Sequence, residues 1–362
     1  MARDADYLAA IGRALAMDGG LRLWSCRTAA GPAGTAFVAD LAQASGAGIA
    51  AATGLVGAAA RGGGWELTAA ARPPLTAAGV AAYEGAMALK TWNGTTGSWF
   101  TAANWGGTLP VAGDTVSLPG SGNYVVTIDT ADTPSIAALT LTSQNSTHTT
   151  TLTLANNHTL NVSGTTTFSD SNSTINGAGT ISAGGAITGS GTIQAGTASS
   201  GGTLDVFGTI NSGVVLKIGT FAASDLKIEG TATSAAPITI NNSNQTLEIG
   251  SAGNLTITGG TESITNGKIQ IDGGILSTSG LTIGNAATLI GSGTVNNAIS
   301  GAGTITAKNG TLNLNGTISS GPTFTIDTSA PATLEFSGTA MPRMQSPSTT
   351  AIRRSRSAVA AI

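Results

Sequence analysis

Between Trp92 and Ala340, Ile, Leu and Val occupy every second position of short runs whose other positions are mostly Thr, Ser and Asn, as in Thr-Leu-Thr-Leu at 151–154 and Leu-Thr-Ile-Thr at 255–258. A period of two puts one set of side chains on each face of a strand, so these runs read as half-buried strands. The runs at 124–128, 136–141, 151–154, 159–162, 247–249, 255–257, 268–271, 281–283 and 312–314 all have this form. A tetrad recurs among them, as Gly177-Ala178-Gly179-Thr180, Gly189-Ser190-Gly191-Thr192, Gly291-Ser292-Gly293-Thr294 and Gly301-Ala302-Gly303-Thr304, each a turn feeding a strand. Strand and turn repeated in this way predict a stacked solenoid, a right-handed parallel β-helix over 91–340. At about 4.8 Å per coil and roughly 20 residues per coil, the stack would be a rod on the order of 50–60 Å long.

Residues 1–90 break the pattern. Tyr7, Leu8, Ile11 and Leu15 have the spacing of an amphipathic helix ending at Gly19-Gly20, and Leu21-Arg22-Leu23-Trp24 follows as a short strand. Pro32 opens a second helix with Phe37, Val38, Leu41 and Ala42 on one face and Gly46 as its stop. A strand around Ile49 and a Gly62-Gly63-Gly64 turn into Trp65-Glu66-Leu67 complete the region. Strand, helix, strand predicts a small α/β domain over 1–72 with parallel pairing, thin enough for its core to be a partial domain. Residues 73–90 read as a linker with one short helix, and 341–362, with Pro342, Arg353, Arg354 and Arg356, leave the repeat as a disordered tail.

Charged residues are only 9% of the chain and the net charge is -3, so solubility rests on hydroxyls and amides and no basic field exists to hold nucleic acid. The longest Ala-rich stretch, 47–60, is broken by Gly and falls short of the ~20 apolar residues of a membrane span. The N-terminus lacks the basic start and apolar core of a secretory signal. One cysteine, Cys26, excludes an internal disulfide, and with only His148 and His158 beside it no Cys/His zinc cluster can form. The Gly tetrads lack the Asp of calcium-binding β-rolls and the third Gly of a dinucleotide loop, so neither metal nor cofactor is expected.

Two resemblances add to this reading. Leu23-Trp24-Ser25-Cys26, Gly31, Gly34, Phe37, Leu41-Ala42, Gly46-Ala47, Ile49-Ala50-Ala51, Thr53-Gly54 and Gly62-Gly63-Gly64-Trp65-Glu66-Leu67 resemble the later part of the domain of unknown function 4347 family of bacterial surface proteins, with Gly48 where that family commonly has an acidic residue. The family is distantly caspase-like, which implies a nucleophile position at Cys26 and a partner His-Gly that would lie before this chain begins. With no His in residues 1–90, peptidase activity is not expected. From Trp92, the pattern Trp-Asn-Gly, Gly-Ser-Trp, Asn-Trp, Pro and Gly-Asp-Thr-Val resembles the opening of β-helical passenger regions of autotransporter-like and haemagglutinin-like adhesins, which implies adhesion or surface coating without catalytic residues.

The expected function is therefore that of a non-enzymatic, extracellular or cell-surface protein whose solenoid is a contact surface or spacer. Its partners would be surface carbohydrate or protein, or a second copy through an exposed solenoid end. The alternative is a β-helical polysaccharide lyase or glycoside hydrolase, which needs carboxylates converging on one face beside a basic residue. Asp205, Asp225 and Glu229 are its candidates, although Asp225, Lys227 and Glu229 alternate along one strand as a solvent-facing row would. Trp92, Trp99 and Trp105 either cap the first coil or stack on sugar rings.

Overall fold

The computed structural model describes residues 5–15, 19–59, 63–83, 89–120, 122–130, 132–319, 321–338 and 353–354. The fold is mainly β, a parallel β-solenoid of about 11 turns preceded by a small N-terminal region. Two compact units divide the chain: 1–90 with 110–116, and 91–109 with 117–362.

In the first unit, α1 (Ala5–Ala14) lies against α2 (Gly31–Ser45), and β1 (Gly20–Leu23) pairs in parallel with β2 (Gly48–Ala51). Pro sits in the first turn of α2, and Gly46 closes the helix in the left-handed conformation, its N–H bonded to Ala42 O, as a glycine stop should. Val38, Leu41, Ala42 and Ser45 form the inner side of α2, whereas Phe37 is exposed; the apolar stripe is rotated from the face expected to include it. Two further strands, β3 (Leu55–Val56) and β4 (Gly63–Gly64), pair in parallel. The short α3 (Ala77–Ala82) is capped by Thr76, whose hydroxyl accepts the Gly79 N–H. Gly62 and the tail 341–362 lie outside the described residues, apart from Arg353 and Arg354, which pair with Glu335 and Phe336.

The solenoid is held by columns of inward side chains stacked coil upon coil. One runs Val126, Leu152, Ile175, Ile193 and Leu216. Another runs Leu204, Leu226, Leu247, Ile269, Leu289 and Ile305. All of these side chains are buried, so the alternation read from the sequence is the burial pattern of the coils. The first glycine of every tetrad, Gly177, Gly189, Gly291 and Gly301, has φ between 101° and 125°, a region L side chains rarely enter. A Cβ at these positions would also fall on a carbonyl oxygen of the preceding coil, that of Leu154, Phe168, Ile271 or Ile283 respectively. The tetrads are corners at which one backbone packs directly on the next.

Candidate functional site

Three regions carry the candidate chemistry. Cys26 follows β1, and its sulfur accepts the Val56 N–H at 3.1 Å. Nearby in the same unit, the Trp65 ring lies 6.0 Å from that of Trp24 and 5.5 Å, edge-on, from that of Tyr83. The Tyr83 phenol is pushed above its ordinary pKa by burial first, then by Asp114 and Cys26. Both histidines of the chain belong to the other unit, so nothing described in this one offers Cys26 an imidazole base.

Trp92, Trp99 and Trp105 are buried at the start of the second unit. Trp105 meets both others edge-on, at 4.9 Å from Trp92 and 4.8 Å from Trp99, and its Nε1–H donates to Trp99 O at 2.6 Å. Trp92 Nε1–H donates to Thr95 O at 2.7 Å. The rings pack on one another and, buried as they are, leave little ring face open to solvent.

Register brings the scattered carboxylates together. Asp205 pairs with Lys227, Lys227 with Glu248 and Glu248 with Gln270, forming one outward column. Two residues along, Thr203, Asp225, Thr246 and Lys268 form the next. Glu229 flanks them on the strand-C-terminal side, where a Cβ on Gly250 would collide with its carboxyl. Lys227 Nζ lies 3.0 Å from Glu229 Oε1 and 3.0 Å from Glu248 Oε1. Lys268 Nζ donates to Gln270 Oε1 at 2.7 Å, and Gln270 Nε2 donates to Asp272 Oδ2 at 2.7 Å.

The group is more enclosed than a solvent-facing row. Oδ1 of Asp205 and Oδ1 of Asp225 are buried without a hydrogen-bond partner. Burial, then the charge and hydrogen bond of Glu248, push Asp225 up to about 7; Lys268 opposes this and Asp205 adds to it. Asp205 is also raised, by burial first, with Lys227 opposing and Glu229 and Glu248 adding. Lys227 is held above the ordinary lysine range, chiefly by its bond to Glu229. Such a set can retain a proton on Asp225 near neutrality, beside two glutamates paired with one lysine. Glu248 and Lys268 were not singled out from the sequence, yet Glu248 stands between the inward Leu247 and Ile249 and so had to point outward.

His148 Nδ1 lies 3.3 Å from Gly120 O, and among the described residues no group of three His, Cys, Asp or Glu is placed to hold a metal. A shallow groove lined by Gly310, Thr311 and residues 327–333 contains Asp327, which pairs with Lys308 at 3.6 Å.

The family model of a domain of unknown function, DUF4347, matches residues 1–94, about a quarter of the chain. The N-terminal region is thus similar to that domain, and the matched span includes Cys26 and the residues from Leu23 to Leu67 that carry the resemblance. No curated protein and no solved structure matches the chain.

Proposed function

We propose that the chain is a bacterial surface or secreted protein whose solenoid serves as a contact surface or spacer and performs no catalysis. The observation that carries this reading is the outer face of the coils, where uncharged side chains bond to one another along the stack. Thr153 donates to Asn176 at 2.7 Å, Thr282 and Ser300 are 3.0 Å apart, Thr306 and Thr325 are 2.6 Å apart, and Asn315 donates to Asn296 at 3.2 Å. A hydroxyl and amide surface of low charge suits broad contact with carbohydrate or protein, because little electrostatic repulsion opposes approach. The N-terminal similarity to DUF4347 supports placement outside the cell only through the resemblance to bacterial surface proteins described above. Antibody labelling of intact cells, with binding of the purified chain to glycan and protein arrays, tests this. Surface labelling and saturable binding are expected, and labelling only after lysis would overturn the placement.

A second reading, a carbohydrate-active solenoid, has one observation in its favour: Asp205, Asp225 and Glu229 share a face with Lys227 between them. If Asp225 gives or takes a proton during cleavage, polysaccharides incubated with the chain should gain reducing or unsaturated ends, and Asp225→Asn should stop it. Absence of such ends across acidic and neutral polysaccharides leaves the contact role.

A further inference from the structure

Glu262 enters the solenoid core fully buried, in the column continued by Leu281 and Ile299. Its Oε2 accepts the Ile238 N–H at 2.9 Å, whereas Oε1 has no partner. Gln245, also in the core, shows what full satisfaction looks like. Its Oε1 accepts Asn241 N–H at 2.8 Å and Asn242 N–H at 3.0 Å, and its Nε2 donates to Ile218 O at 2.6 Å and Thr239 O at 3.1 Å. An ionised Glu262 would rest on one N–H among Ile and Leu, while the protonated acid brings no charge into the core. Burial accordingly pushes Glu262 up to about 7, against the pull of the Ile238 N–H. The segments packed on it, 237–240 and 280–283, present only Pro, Ile, Thr, Gly and Leu, with no charged group.

Outside, on the same stretch of coils, Asp225 pairs with Thr246, two residues before Glu248 on the next coil, and its Oδ1 is buried without a hydrogen-bond partner. Around them are Asp205 from strand Gly202–Ile210, Lys227 on the strand of Asp225 with Glu229 just past its end, and Lys268 from strand Glu262–Thr278. Lys227 is engaged by Glu229 and Glu248, which leaves Lys268 as the cation that favours an ionised Asp225.

We infer that residues 224–291 form a proton-dependent latch: one proton on Asp225 at the outer face and one on Glu262 in the core keep these coils closed, and losing both loosens this stretch ahead of its neighbours. Both groups have native pKa values above their ordinary ones, so the closed coils bind protons that opened coils release. The stabilisation is complete below the ordinary carboxyl range, about pH 4, and is lost as pH rises through about 7. This holds whichever reading of function is correct.

Hydrogen exchange on the full chain between about pH 5 and 8, corrected for intrinsic exchange, tests the latch. The opening constant of peptides from 224–291 should rise about tenfold per pH unit for each proton released and level off above 7. Peptides from 173–195, a segment without titratable side chains, should stay flat. Asp225→Asn and Glu262→Gln should each remove about one power of ten per pH unit from the slope. A slope unchanged in either variant, or the same rise in 173–195, overturns the inference. Should Glu262→Gln fail to fold, Asp225→Asn on the outer face decides it alone.

Discussion

The coils at 150–195 and those at 202–272 rest on the same kind of inner column, yet their outer faces cohere by different means. In the first, Thr and Asn side chains bond across coils, as Thr153 does to Asn176. In the second, Lys227 bridges Glu229 and Glu248 while Asp205 and Asp225 crowd around it. Neutral ladders respond little to pH or salt, whereas a charged cluster holds only while its protons and counter-charges balance. The inner columns thus fix the fold, and the outer face is where conditional chemistry can be written without disturbing it.

The comparison predicts that an inner change is severe in either region. Leu152→Asp should cost on the order of 3–5 kcal/mol or more, an unpaired charge in a column with no polar partner, and should show as a collapse of the thermal midpoint. Folding with a near-native midpoint would mean that the column is not sealed. A corner change ranks next: Gly177→Ala combines a strained φ with a clash against Leu154 O and should cost about 2–3 kcal/mol by denaturant midpoint. Lys227→Met should cost about 2 kcal/mol at pH 7, because Glu229 and Glu248 lose their shared cation. A variant that melts at the parent's temperature at pH 7 would contradict the picture of a charge-held face. Smallest is Thr153→Val, which removes one cross-coil bond and should cost about 1 kcal/mol with no pH dependence between pH 5 and 8.

Much of the fold could be read from the residues because its determinants are local. Alternation announced that Leu152, Leu247 and Leu255 turn inward, and the tetrads announced corners because only glycine tolerates them. The parallel pairing of β1 with β2 followed from strand, helix, strand. The charge cluster was legible only in part. Steps along the column from Leu204 to Ile305 range from 16 to 22 residues, so spacing alone could not tell which coil sets Lys227 beside Glu248. Glu262 was missed although it shares parity with the inward Ile264, because a carboxylate is not expected in such a column. Phe37 was placed on the inner side of α2 because helical spacing defines a stripe without saying where its edge falls.

The corner glycines have a consequence at the level of the gene. Every amino acid reachable from a glycine codon by changing its first or second base carries a Cβ, and at Gly177, Gly189, Gly291 and Gly301 the preceding coil's carbonyl already occupies that place. Only third-base changes to these codons are silent for the fold. The chain can therefore drift freely between Thr, Ser and Asn along its outer faces while its corners tolerate no such drift, and a library of random variants selected for folding should keep those four codons as glycine.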